Sequence, residues 1–161
     1  MALTAPSSPT GTQQHLRLWL RLYRTVGLIE REIRARLTRE FDISLARFDL
    51  MSALERSDGP LTMGQLSDRL LVSNGNVTGL ITRLVEDGWV TRTPLPNDRR
   101  SFHIESTATG RERFAEIAAA HAVWVDELLN AVPPDIADAL SANLDHILHS
   151  PRFKSGEHRA S

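Results

Sequence analysis

Residues 97–100 read Asn-Asp-Arg-Arg and place two arginines beside a carboxylate, between two segments with the composition of short strands. A carboxylate can hold one guanidinium in a fixed orientation while the other reaches into a narrow DNA minor groove, where the negative potential is deepest. Loops of this kind are more often simply solvated. The grouping nevertheless predicts that Asp98, Arg99 and Arg100 contact nucleic acid from the tip of a hairpin.

A second polar group lies on one face of a helix predicted between residues 73 and 88. The apolar residues at helical spacing form its buried stripe, and they are Val77, Leu80, Ile81, Leu84 and Val85. The predicted DNA contacts on the opposite face are Ser73, Asn74, Gly75, Asn76, Thr78, Thr82 and Arg83. Asn and Thr can exchange hydrogen bonds with base edges, and Arg can bind guanine or phosphate. Any solvated helix also has a polar outer face, so the neighbouring elements decide between the two interpretations.

The elements around this helix predict a helix-turn-helix. Thr62 and Gln65 have the spacing of a capping box, which opens a helix of about two turns. After a turn at residues 71–72, Ser73 is predicted to cap the helix with the polar face, and Gly88 ends it. Two short capped helices joined by a tight turn are typical of DNA-binding modules.

A β-hairpin is predicted directly after the two helices. Its strands are residues 89–95 and 101–106, and its solvated loop at residues 96–100 carries the two arginines. The side chains expected to face the core are Trp89, Phe102 and Ile104. The hairpin is therefore interpreted as a wing beside the helix-turn-helix.

Long apolar helices are predicted on both sides of this module. One covers residues 13–41, and another, which Ser44 can cap, continues to about Arg56. Two more follow the hairpin, the first capped by Thr107 and the second beginning at Pro133 or Pro134. Their apolar stripes exceed what a small core can cover, so we expect a subunit interface. Its predicted members are Leu16, Leu20, Trp124, Leu128, Ile136, Leu140, Leu144 and Ile147.

With this order of elements, and above all in residues 87–110, the chain resembles the MarR (multiple antibiotic resistance regulator) family of winged-helix regulators. The resemblance covers about residues 13–149. The residues that match the family's wing and the start of its next helix are Arg92, Asp98, Arg99, Arg100, Thr107 and Gly110. Ser106 stands where that family usually has Leu, and Asn97 stands at a commonly acidic or small position.

The resemblance implies a mainly α fold with a small β-wing. A winged helix-turn-helix at about residues 44–106 lies between dimerisation helices at about residues 13–41 and 107–149. It also implies a homodimer that binds a palindromic operator in double-stranded DNA and represses nearby genes until a small aromatic or phenolic ligand releases it. The candidate ligand contacts are Trp19, Tyr23, Phe48 and Met51, with Arg17, Arg21 or Arg24 for a carboxylate.

Composition limits the other classes of protein. The chain has 161 residues, 41% of them apolar, a net charge of −1 and no cysteine. This suffices for a core and excludes disulfides and cysteine-based zinc sites. Residues 1–12 and 150–161 are expected to be a disordered arm and a flexible tail. Neither a membrane span nor a signal peptide is recognisable, so we expect a cytoplasmic protein without a membrane partner.

Two alternatives stay open at this point. His146 and His149 lie one turn apart with Asp145 adjacent, a spacing that can hold zinc in a metal-responsive regulator of the same fold. A helical protein-interaction module without DNA binding would use the same long helices. An enzyme is not expected, because the sequence has no glycine-rich phosphate loop and no nucleophile elbow. The main prediction includes neither a cofactor nor a bound metal.

Overall fold

A computed structural model describes residues 11–70, 73–95 and 98–151. Within these ranges the chain forms helices and a small sheet, in the order α1 (Gly11–Phe41), α2 (Leu45–Glu55), β1 (Leu61–Thr62), α3 (Met63–Leu70), α4 (Asn74–Glu86), β2 (Val90–Leu95), β3 (Asp98–Ser106), α5 (Ala108–Leu129) and α6 (Pro134–Leu148). The predicted mainly α fold with a small β-wing is confirmed. Helix α1 begins at Gly11, two residues before the predicted start, and the rest of the predicted arm lies outside the described residues.

The chain divides after Trp124 into two compact units. The first unit contains α1 to α4, the sheet and most of α5. The second contains the last turn of α5 and all of α6. Pro133 is the N-cap of α6 and Pro134 its first residue, as the sequence predicts.

Local hydrogen bonds explain where several helices begin. The Ser44 hydroxyl accepts a hydrogen bond from the backbone N–H of Arg47 at 3.2 Å and so caps α2. At the start of α3, the backbone N–H of Thr62 donates to Gln65 Oε1 at 2.8 Å, and the Gln65 N–H donates to Thr62 Oγ1 at 3.3 Å. Both predicted caps are confirmed. Ser73 is the N-cap residue of α4, as predicted, but its side chain makes no capping hydrogen bond.

The end of α4 and the start of α5 meet at one short connector. Gly88 adopts a φ of 72°, which is unfavourable for residues with a Cβ, and it ends α4 as predicted. Thr107 caps α5, because its Oγ1 accepts a hydrogen bond from the Gly110 N–H at 2.9 Å. The same hydroxyl donates to the Gly88 carbonyl oxygen at 2.7 Å. The wing and α5 are thus joined where the wing begins.

The sheet is antiparallel with the strand order β1-β3-β2. The two-residue β1, which the sequence did not predict, pairs Leu61 with Ile104. Strand β2 pairs with β3 from Val90 opposite Ser106 onward, with a register shift after Pro94. Strand β3 begins at Asp98, so the predicted loop at residues 96–100 is too long, and residues 96–97 lie outside the described ranges.

The core of the first unit lies where α1, α2, α3, α4 and the sheet meet. Its most deeply buried side chains are Leu37, Leu50, Met51, Leu66, Val77, Ile81, Leu84 and Ile104. Phe48 extends this core towards α5, with ring centroids 5.3 Å from Phe114 and 4.4 Å from His121. Three predicted core positions differ, because Val85 is 39% exposed and both Leu80 and Phe102 are only partly buried.

Candidate nucleic-acid interface

The exposed face of α4 contains the residues that the sequence predicted for base recognition. Val77, Ile81 and Leu84 are buried and anchor one side of the helix. The opposite side exposes the backbone or side chains of Ser73, Gly75, Asn76, Thr78, Thr82 and Arg83. The side chain of Asn74 lies outside the described residues. A buried stripe therefore holds α4 in place while its polar face stays accessible.

Two glycines leave the surface of α4 open. A Cβ built on Gly75 or on Gly79 would meet no atom within 4 Å. Both glycines line a concavity between α2 and α4, together with Asn76, Arg83 and Asp49. Another chain can therefore approach the backbone of α4 closely at these positions. Such an open backbone suits a helix that lies in a groove of DNA.

The charge around this concavity is mixed. Desolvation raises the pKa of the Asp49 carboxyl above its ordinary value of 3.8, and the nearby charge of Glu30 acts in the same direction.

One hydroxyl of the exposed face already has a hydrogen-bond partner within α4. Thr82 Oγ1 donates a hydrogen bond to the backbone carbonyl oxygen of Thr78 at 3.0 Å. Asn76 and Arg83 are exposed polar side chains of this face that can bind a base or a phosphate.

The wing carries a further arginine in a defined position. Arg92 on β2 lies with its guanidinium carbon 3.7 Å from the ring centroid of Phe102 on β3. Such a cation–π contact restricts an otherwise mobile arginine side chain. The backbone of Asp98, Arg99 and Arg100 belongs to β3, and their side chains lie outside the described residues. The predicted wing is present, and the roles of its tip arginines remain predictions.

Arg47 contacts the connector between α4 and the wing, a feature that the sequence did not reveal. Its Nη2 lies 2.7 Å from Asp87 Oδ2, and its guanidinium carbon lies 4.3 Å from the centroid of the Trp89 ring. On the other side of the connector, a Cβ at Gly110 would lie only 2.0 Å from the Trp89 carbonyl oxygen. Residues this far apart in the chain leave no local pattern, so only the folded structure brings them together.

The structure does not bring the predicted ligand contacts into one pocket. Phe48 and Met51 are core residues, with exposures of 7% and 0%. Trp19 and Tyr23 are 59% and 70% exposed on α1, where their rings lie 5.8 Å apart. They line a shallow surface concavity that also includes Arg24. Phe48 and Met51 do not line this concavity, and a ligand role for them stays a prediction.

The predicted subunit contacts are mostly exposed in the single chain. Leu16 and Leu20 on α1 are exposed, as are the apolar residues of α6, which are Ile136, Leu140, Leu144 and Ile147. Helix α6 buries none of its residues in the described chain. Leu128 is partly buried. Trp124 is 6% exposed and packs against Phe41 at 6.0 Å, so it belongs to the core of its own chain.

The described part of the chain contains neither a cluster of metal ligands nor a membrane-spanning helix. No group of three or more His, Asp or Glu side chains there is arranged to hold a metal ion. His149 Nδ1 instead lies 2.9 Å from the backbone carbonyl oxygen of Asp145. None of the helices within residues 11–70, 73–95 and 98–151 is long and apolar enough to cross a lipid bilayer.

Comparison with known proteins gives consistent matches to one family. The model of the MarR family matches residues 41–101. A MarR family transcriptional regulator from Silicibacter pomeroyi is 39% identical, with a TM-score of 0.72 over 88% of this chain and 97% of that protein. The transcriptional activatory protein BadR from Rhodopseudomonas palustris is 31% identical over 104 residues, which are 63% of this chain and 59% of BadR.

The chain spans about half the length of the curated relatives that it matches. The fold is also that of Sco3205 from Streptomyces coelicolor, a MarR family regulator crystallised in complex with DNA. That structure covers 93% of this chain and 96% of its own, with a TM-score of 0.74 and 21% identity. The matched proteins are transcriptional regulators rather than enzymes, in agreement with the sequence prediction.

Proposed function

Since the chain belongs to the MarR family of winged-helix transcriptional regulators, we propose that it binds a palindromic operator in double-stranded DNA as a homodimer. Helix α4 would enter the major groove, and the wing would reach the adjacent minor groove. The observation that carries this proposal is the exposed face of α4. It presents Asn76 and Arg83 beside the open backbone of Gly75 and Gly79.

The wing supports the same mode of binding. Arg92 is held against Phe102 on the surface of the hairpin, and Asp98, Arg99 and Arg100 follow at the start of β3. Cationic side chains on a narrow hairpin suit a minor groove, because a narrow groove concentrates the negative potential of the phosphates. Contacts from α4 and from the wing would then fall in neighbouring grooves of one half-site.

The unburied apolar residues of α6 support the proposed homodimer. Helix α6 exposes Ile136, Leu140, Leu144 and Ile147, which share one face at helical spacing. A contiguous apolar surface of this kind marks an interface. A two-fold axis would place two α4 helices in successive major grooves, about 34 Å apart, which requires a palindromic site.

The regulatory output that we propose is repression relieved by a small aromatic or phenolic ligand. The supporting feature is the concavity beside Trp19 and Tyr23, which combines two exposed aromatic rings with Arg24. An aromatic carboxylate could stack on the rings and pair with the guanidinium. Release requires that the ligand bind the DNA-incompetent arrangement more tightly than the competent one.

Selection of bound DNA from a random pool, at near-physiological salt, tests the proposal. We expect enrichment of a palindrome whose half-sites lie about one helical turn apart. Retention without any enriched sequence would favour a protein-interaction module over a DNA reader. The selected operator then allows Asn76→Ala to be compared on operator and random DNA. A larger loss on the operator, by roughly 1–3 kcal/mol, would identify a base contact, and equal losses would identify a phosphate contact.

A further inference from the structure

We propose that Arg47 on α2 sets the angle between α4 and the wing. It would act as a positioning residue for DNA recognition without touching DNA. The inference rests on the proposed DNA binding and adds a determinant of specificity outside the DNA-contacting surface. It follows from the contacts at the connector formed by Asp87, Gly88 and Trp89, which joins the end of α4 to the start of β2.

Arg47 contacts both ends of this connector with one side chain. Its Nη2 lies 2.7 Å from Oδ2 of Asp87, the C-cap residue of α4. The same guanidinium lies over the ring of Trp89, 4.3 Å from its centroid, directly before β2. A planar guanidinium that pairs with a carboxylate and stacks on an aromatic ring is fixed in both distance and orientation. Arg47 thereby relates α2 to the recognition helix and to the wing at once.

The connector is held from α5 as well, but through different groups. The Thr107 hydroxyl donates to the Gly88 carbonyl oxygen at 2.7 Å, and the Thr107 N–H donates to the Trp89 carbonyl oxygen at 2.9 Å. These bonds hold the backbone of the connector, whereas Arg47 holds its side chains. Rotation of the wing about the backbone anchors is therefore opposed by the contacts of Arg47.

The environment of Arg47 argues against a role in stability alone. Its side chain is only 17% exposed, and its buried Nε has no hydrogen-bond partner in the described structure. An unpartnered buried N–H disfavours folding, and a buried ion pair can often be replaced by an apolar side chain without loss of stability. Asp87 is 48% exposed, so water can solvate its carboxylate when Arg47 is absent. An apolar side chain in place of Arg47 would lose the contacts that fix the orientation of the wing relative to α4.

A small error in this angle is sufficient to disturb binding. Strand β2 has six residues and therefore extends roughly 20 Å. A rotation of about 10° at its base would move the tip of the wing by about 3 Å, the length of a hydrogen bond. Contacts of α4 in the major groove would survive such a rotation, and contacts of the wing in the minor groove would not. The non-specific attraction of basic side chains to the phosphates of DNA would change little.

The test compares Arg47→Met with Arg113→Met. Arg113 also lies over the Trp89 ring, at 5.9 Å, but it is exposed on α5. Both substitutions remove one positive charge. Affinities for the selected operator and for random DNA are measured at one salt concentration, together with the thermal midpoint and a hydroxyl-radical footprint. For Arg47→Met we expect the operator-to-random ratio to fall about ten- to hundredfold, the size of one spoiled base contact. The thermal unfolding midpoint should hardly change. In the footprint, the DNA should lose its protection in the minor groove only.

Several outcomes would overturn the inference. One is an operator-to-random affinity ratio for Arg47→Met that stays within about twofold of the parent ratio. Another is an equal fall in this ratio for Arg113→Met. If Arg47→Met does not fold, Asp87→Asn removes the exposed end of the same pair and must lower the ratio by itself. An unchanged ratio in that variant also contradicts the role of Arg47. A parent protein without any preference for a DNA sequence would instead refute the proposed function, and the inference with it.

Discussion

Replacing Gly110 by alanine tests the packing between the wing connector and α5. A Cβ at this position would lie 2.0 Å from the carbonyl oxygen of Trp89 and 2.8 Å from its carbonyl carbon. These are backbone atoms, which cannot turn aside as the end of a flexible side chain can. The first turn of α5 must therefore move away from the connector, by more than about 1 Å, to reach an ordinary contact distance.

This movement breaks identifiable bonds. The Thr107 N–H lies 2.9 Å from the Trp89 carbonyl oxygen, and the Thr107 hydroxyl lies 2.7 Å from the Gly88 carbonyl oxygen. Each hydrogen bond contributes about 1 kcal/mol net, and overpacking costs a further 1–3 kcal/mol or so. The helical preference of alanine over glycine offsets about 1 kcal/mol. We expect Gly110→Ala to lower the free energy of unfolding by roughly 2–4 kcal/mol.

Thermal unfolding followed by circular dichroism, at one fixed protein concentration, measures this effect. For a chain of this length the midpoint should fall by roughly 4–16 °C. The matched control is Gly64→Ala in the first turn of α3, where a Cβ would meet no atom within 4 Å. That control should leave the midpoint unchanged or raise it slightly. A Gly110→Ala midpoint equal to that of the control would refute the reasoning.

Three further predictions concern DNA, pH and assembly. Arg99→Ala should weaken operator binding and reduce the salt dependence by about one phosphate contact while leaving assembly intact; an unchanged affinity would exclude that role. Because burial lowers the pKa of His121 below its ordinary 6.5, the unfolded chain binds more protons just below that pH. Stability should therefore fall as the pH drops through 6.5, and His121→Phe should flatten this part of the midpoint curve, whereas an identical curve would contradict it. Leu140→Asp should give a monomer in sedimentation, since it places a charge on an apolar face that is 51% exposed in the single chain; a persisting dimer would count against α6 as the interface.

The features that the sequence predicted well depend on local patterns. The Thr62–Gln65 box and the Thr107 cap are set by residues three apart, and the apolar stripe of α4 repeats at helical spacing. The wing was recognisable from two strand-like segments around a polar turn. Its boundary was wrong because pairing with the opposite strand extends β3 back to Asp98. Pairing between strands decides such a boundary, and composition does not.

The features that the sequence could not predict depend on distant contacts. Helical periodicity shows that Phe48 and Met51 share a buried face, but it does not distinguish a core from a ligand cleft. The pair of Arg47 and Asp87 and the close approach of Gly110 to Trp89 join residues from separate elements. A polar or small residue at such a position looks like any surface residue until its partner is known.

The two edge strands of the small sheet are unfavourable for pairing with strands of other molecules. Strand β1 has only two residues, and β2, at the opposite edge, contains Pro94, which has no backbone N–H. A long regular edge offers unpaired donors and acceptors to strands of other molecules, which is a common route to aggregation. Short length at one edge and a proline at the other make both edges poor templates for such pairing. The hairpin can therefore project into solvent while offering little backbone for pairing with strands of other molecules.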